Sequence, residues 1–113
     1  MSWTKQVQIA ITVTDEHGTI TEMNPASLET FAGDGGAKLI GTDIFACHPE
    51  PSRTQLADMY RDRQPNHYTI QKNGRRKIIH QLPLFDGPSF KGYVEISIPI
   101  PDQLPHRNRD KSK

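Results

Sequence analysis

Residues 11–26, ITVTDEHGTITEMNPA, constrain the fold of this chain more than any other stretch. Ile9, Ile11 and Val13 alternate with polar residues, the period of a strand with one face buried. The polar stretch from Asp15 to Gly18 comes next, and its glycine tolerates the positive φ that tight hairpins demand. A second strand ends at Asn24, whose side chain suits a helix N-cap, and Pro25 suits the first helical position. Leu28 and Phe31 then lie three apart, on one face of the helix. The chain therefore opens as strand, turn, strand, helix.

The middle of the chain is helical. Gly33 to Lys38 (GDGGAK) is glycine-rich but lacks the Gly-Lys-Ser/Thr ending of a phosphate loop, and it succeeds a helix instead of joining a strand to one. It reads as a flexible connection. Leu39 to Phe45 supplies apolar residues for short helical turns, with Gly41 at a sharp bend. Pro49 and Pro51 precede the clearest helix, where Ser52 and Gln55 form a capping-box pattern and Leu56, Met59 and Tyr60 make an inward stripe. Asp58, Arg61, Asp62 and Arg63 fall on its wetter side, and Pro65-Asn66 ends it.

Three strands close the chain. His67 to Lys72 meets a hairpin turn at Asn73-Gly74, and Arg75 to Phe85 runs to a turn at Asp86-Gly87-Pro88. From Tyr93 to Ile100, Val94, Ile96, Ile98 and Ile100 face one way and Glu95 and Ser97 the other. Pro99 and Pro101 mark its far end. Two strands, a helical middle and three strands predict an α+β architecture with mostly antiparallel pairing and helices on one face.

Composition excludes several classes. At 113 residues the chain fits one domain, and 34% hydrophobic residues make a thin core that gains from a ligand or partner subunit. A net charge of +1 gives no global attraction to nucleic acid or acidic membranes. Residues 102–113 are basic, with Arg107, Arg109, Lys111 and Lys113 against Asp102 and Asp110, and read as a flexible tail. One cysteine forms no internal disulfide, no apolar run reaches membrane-spanning length, and the N-terminus lacks a signal-peptide pattern. A cytoplasmic protein is expected.

The asparagine ending the second strand, Leu39-Ile40-Gly41, His48-Pro49 before the long helix, and the Asn73-Gly74 hairpin together resemble a PAS domain. The resemblance covers roughly residues 7–101, with 1–6 as an N-terminal extension and 102–113 as the tail. Ala46-Cys47-His48-Pro49 and the Tyr68–Gly74 hairpin are similar to small bacterial PAS proteins. It implies a PAS fold with a five-stranded antiparallel sheet, helices packed on one face, and a ligand cavity between them. It further implies signal reception and dimerisation.

The expected cavity is lined by Met23, Phe31, Ile44, Leu56, Met59, Tyr60, Ile70, His80 and Ile96, most of them equally good core residues. If Ile78, Leu82 and Leu84 face the helices, alternation puts His80 with them. There it could ligate haem iron, hydrogen-bond a polar ligand, or sit as a core histidine bonded to a carbonyl, Tyr60 or Tyr68. Cys47 and His48 point in different directions, which disfavours a nucleophile–base couple, and no ligand spacing suggests zinc. The resemblance favours a structural role for His48. Cys47 is read first as a buried inert thiol, with a redox sensor or haem thiolate as alternatives.

Haem-binding PAS domains commonly carry the proximal histidine on the long helix, and residues 52–64 contain none. His80, His48 and Cys47 remain as haem-ligand candidates. The sequence around Cys47 departs from the flavin photosensor motif, so flavin is not expected. Citrate-type extracellular sensors need an export signal.

The leading expectation is a sensor that binds a small ligand and signals through a homodimer or a partner signalling protein. No kinase, cyclase or DNA-binding segment is present, so output acts in trans or the chain is an excised piece. A ligand-free interaction module dimerising through its sheet is the alternative, with Trp3 as an anchor. Asp15, Glu22 and Asp43 are scattered without a triad, so an enzyme is not expected.

Overall fold

The computed structural model describes residues 2–111; Met1, and the expected tail's last two residues Ser112 and Lys113, lie outside the described residues. Five strands form one antiparallel sheet: β1 (Ala10–Thr14), β2 (Ile20–Met23), β3 (Asn66–Lys72), β4 (Arg75–Asp86) and β5 (Ser89–Ile100). Their order across the sheet is β2-β1-β5-β4-β3. The chain's first hairpin thus docks against its last strand, with β5 in the centre. Three helices lie between β2 and β3 in the chain: α1 (Pro25–Thr30), α2 (Ile44–Cys47) and α3 (Ser52–Asp62). This is the α+β architecture expected from the sequence, a five-stranded antiparallel sheet with helices on one face.

The opening run folds as its residues dictate. Asp15 accepts from the backbone N–H groups of His17 and Thr19 and closes the turn. Gly18 takes φ +83°, and a Cβ there would lie 2.4 Å from the Phe45 ring, so the glycine also seats α2 on the hairpin. Asn24 caps α1 by accepting from Ser27 N–H at 2.9 Å. The same oxygen accepts from Ile11 N–H, and its amide donates to the carbonyls of Thr4 and Ile9. One buried side chain therefore ties together the N-terminal segment, β1 and α1.

Two local expectations change. Gly33–Lys38 folds largely into 3-10 turns, Ala32–Asp34 and Gly36–Leu39, with Gly35 at φ 123° reversing the chain between them. The Ser52/Gln55 capping box does not form. Glu50 caps α3 instead, accepting from the Thr54 N–H at 2.9 Å and from its hydroxyl. A carboxylate satisfies an orphan helix donor and also meets the positive end of the helix dipole, an advantage serine lacks. At the other end Arg63 adopts the left-handed conformation and terminates the helix.

Among the described residues no helix is long and apolar enough to cross a membrane. The buried hydrophobic side chains are Ala10, Ile11, Ile20, Met23, Tyr60, Ile79 and Tyr93. The core is thin, as the composition implied, because much of the space beneath the helices is open.

Candidate ligand cavity

A cavity of about 370 Å³ lies between the sheet and the helices, within the range of small-molecule sites. Its floor is Ala10, Thr12 and Thr14 of β1, Tyr68, Ile70 and Lys72 of β3, Lys77, Ile79 and Gln81 of β4, and Tyr93, Glu95 and Ser97 of β5. Its roof is Thr30, Phe31, Asp34, Ile44, His48, Leu56, Met59 and Tyr60. A wider groove of about 710 Å³ adjoins it between α3 and β3, sharing His48, Leu56, Met59, Tyr68, Gln81 and Glu95, and connects it with solvent.

Phe31, Ile44, Leu56, Met59, Tyr60 and Ile70 thus lie where the sequence placed them, around the cavity. Met23 shares the face of its ladder partner Thr12 but is buried outside the lining. His80 and Ile96 correct the expectation. Their ladder neighbours Ile79 and Ser97 line the cavity, so alternation turns His80 and Ile96 to the opposite face of the sheet. Ile78, Leu82, Leu84, Val94 and Ile98 turn outward with them. His80 pairs across the strands with His67, Nδ1 to Nδ1 at 2.8 Å, instead of with a carbonyl or a tyrosine.

Alternation separates two faces without saying which one the helices cover, and here they cover the more polar one. A one-residue difference in facing moves every side chain of a strand to the other side. Thr12, Gln81, Glu95 and Ser97 escaped notice because polar residues alternating with aliphatic ones read as solvent-facing. The register that sets Thr12 opposite Glu95 and Glu95 opposite Gln81 comes from tertiary pairing, so the sequence held no signal for them.

The polar floor groups are organised. Asn66 donates to Gln81 Oε1 at 2.8 Å, and Gln81 Nε2 donates to Glu95 Oε1 at 3.0 Å. Thr12 Oγ1 meets the fully buried Ser27 hydroxyl at 2.6 Å. The Tyr60 hydroxyl bonds Thr14 Oγ1, and burial pushes it up to about 12 despite that bond. Tyr68 is also raised, by burial and then by the nearby Glu95 carboxylate. Tyr93 is raised by burial and by Asp62. Its hydroxyl shares one proton between the carbonyls of Met59, at 2.7 Å, and Gln64, at 2.8 Å, pinning the end of α3 to β5.

His48 stands at the exposed rim of the cavity, with Nδ1 2.6 Å from the Ile44 carbonyl. Cys47 is exposed and outside the lining, which corrects its reading as a buried thiol. It ends the four-residue α2, too short to bury both of its faces.

No protein-family model matches the chain, and no curated protein is similar to it in sequence. Solved structures are similar in fold. One is the Aer2 receptor of Vibrio cholerae, described as a dual PAS-haem oxygen sensor, at TM-score 0.65 and 18% identity. That match covers 82% of this chain and 95% of the other. The PAS domain of Bordetella pertussis BvgS matches at TM-score 0.61 and 20% identity, over 89% of this chain and 83% of its own. The PAS domain of the histidine kinase ThkA matches at 0.62 and 17%, over 80% and 97%. The fold is that of a PAS domain.

Proposed function

We propose that this chain is a sensory, non-enzymatic PAS domain whose cavity binds a small molecule and whose sheet passes the bound state to a second copy or a signalling partner. The observation that carries this reading is the cavity itself, walled by α1, α2 and α3 on one side and four strands on the other. Fold neighbours that are histidine-kinase and oxygen-sensor PAS domains support a signalling role by analogy. Residues 7–101 are read as the sensory unit and 102–113 as an extension. The single cysteine supports a reducing, cytoplasmic setting.

The lining fits a small polar ligand better than haem. Of the three haem-ligand candidates only His48 lies at the cavity, and it stands at the rim. The Glu95 carboxylate in the floor would be covered by an apolar macrocycle, which is costly for an ionised group. Protein-observed NMR with a fragment library tests the main reading. Shifts at Ala10, Tyr60 and Ile79 are the expected result, and a library that perturbs none of them overturns it. Haem titration followed by absorption should give no sharp Soret band; one that vanishes in His48→Ala would overturn the rejection of haem.

A second reading, an interaction module that works without ligand, is favoured by the aliphatic outer face of the sheet. Val13, Ile78, Leu82, Val94, Ile96 and Ile98 are each buried only in part. Sedimentation across a concentration series, with and without fragment hits, separates the two.

A further inference from the structure

We infer that the cavity is built for a linear zwitterion, with an ammonium group at Glu95 and an anionic group at Lys72 and Lys77. This rests on the cavity-binding reading above and names the ligand class it takes. The floor is layered along the strands. One row across the sheet holds Asn66, Gln81, Glu95 and Thr12, each directly opposite the next. The next row facing the cavity holds Tyr68, Ile79, Ser97 and Ala10. Beyond it Lys77 stands opposite Ile70, with Lys72 further along β3.

The first row has a direction. Asn66 orients the Gln81 amide, and that amide spends its donor on Glu95 Oε1. A relay of donors that ends on a half-buried carboxylate leaves acceptor capacity at Oε2, which has no hydrogen-bond partner among the described residues. An ammonium group is the complement of such an acceptor, and the Tyr68 ring in the adjoining row adds a π face for it. At the other end, Lys72 and Lys77 line the cavity, and no ion pair among the described residues involves either, the lining residue Asp34 included. Gln81 and Lys77 are four residues apart on β4, roughly 13 Å at strand rise. The reach of the lysine side chains takes up about half of that span, which leaves room for a chain of five or six carbons.

Isothermal titration with three probes tests the inference: 6-aminohexanoate, hexanoate and hexylamine. We expect 6-aminohexanoate to bind at least about tenfold tighter than either half-molecule, the worth of one charge-assisted contact. Glu95→Gln should erase that advantage over hexanoate and leave hexanoate binding unchanged. The double variant Lys72→Gln/Lys77→Gln should erase the advantage over hexylamine. Lys72 is exposed and Lys77 half-buried, so this double variant keeps the test decisive if Glu95→Gln fails to fold. Equal affinity for the three probes, or an unchanged zwitterion affinity in either variant, overturns the inference. Should a neutral fragment fill the cavity while none of the three probes binds, the zwitterion falls and the sensory cavity stands; no binding by anything overturns both.

Discussion

The face of the sheet under the helices carries Thr12, Thr14, Gln81, Glu95, Ser97, Tyr68 and Tyr93, whereas the face turned away carries Val13, Ile78, Leu82, Val94, Ile96 and Ile98. In an isolated single-layer protein the assignment would run the other way, with aliphatic rows under the helices and polar rows in water. Each face here lacks a complement. The inner one has hydrogen-bonding groups around a space that side chains do not fill, and the outer one has aliphatic surface that water meets. Under the proposed function a small polar molecule complements the first and an apolar protein surface the second. The difference teaches that the same strands offer two different chemistries on their opposite sides.

The largest test breaks both faces at once. Gly92 sits at φ +125°, and a Cβ there would lie 2.0 Å from the Thr14 carbonyl oxygen, where β5 crosses the end of β1. Gly92→Ala should cost at least about 3 kcal/mol, from the backbone conformation and the clash together. Urea denaturation should show the midpoint collapse; a shift within a few tenths of a molar would show that the two strands are not held by this contact.

Asn24→Ala acts mainly on the roof. It removes the α1 cap and three further bonds to Ile11, Thr4 and Ile9, at about 3 kcal/mol. Hydrogen exchange should quicken in α1 and the start of β1 while the β4–β5 ladder stays protected. Equal loss of protection everywhere would mean that the roof is not separable from the sheet.

The inner face alone answers to alkali. Tyr60 titrates at about 12 in the folded protein and at 10.0 in an ordinary tyrosine. Above pH 10 the unfolded chain therefore releases a proton that the native state keeps. Stability is full below that pH and falls as pH rises toward 12, by roughly 2 kcal/mol. Melting curves across this range should flatten in Tyr60→Phe, which also gives up about 1 kcal/mol at neutral pH with the Thr14 bond. A slope unchanged by that substitution would assign the alkaline loss to Tyr68 and Tyr93.

Ile96→Glu addresses the outer face and should disturb the fold least, by less than about 1 kcal/mol at a half-buried position. Its expected effect is on self-association, weakened more than about tenfold in sedimentation while cavity binding persists. Loss of both together would mean that the faces are not independent.

The sequence carried the fold well because each opening element announces itself locally: Gly18 in the turn, Asn24 and Pro25 at the cap, Asn73-Gly74 in the hairpin. Phe31, Leu56, Met59 and Tyr60 were legible for the same reason, since helix periodicity names a face and only one face can meet the sheet. The strands gave no such guarantee. His80 and Ile96 keep company with Ile78 and Val94, and aliphatic company suggests a core until tertiary packing turns that row outward. Glu95 and Gln81 were hidden by the converse argument. The cap of α3 was missed because Glu50 lies before the Ser52–Gln55 window and reaches forward to Thr54 within it.

The bond from Tyr93 to the carbonyls of Met59 and Gln64 has a mechanical meaning. Among the described residues it is the side-chain hydrogen bonding that fastens α3 to the central strand, and it sits at the helix's C-terminal end, so under the proposed sensory reading Tyr93 is the point about which the helix would tilt. A ligand against Leu56 would then displace the opposite tip, around Ser52 and Pro51, the most. The anchor itself belongs to β5, the strand whose reverse side presents Val94 and Ile96. A partner on that reverse side would stand one strand's thickness from the cavity.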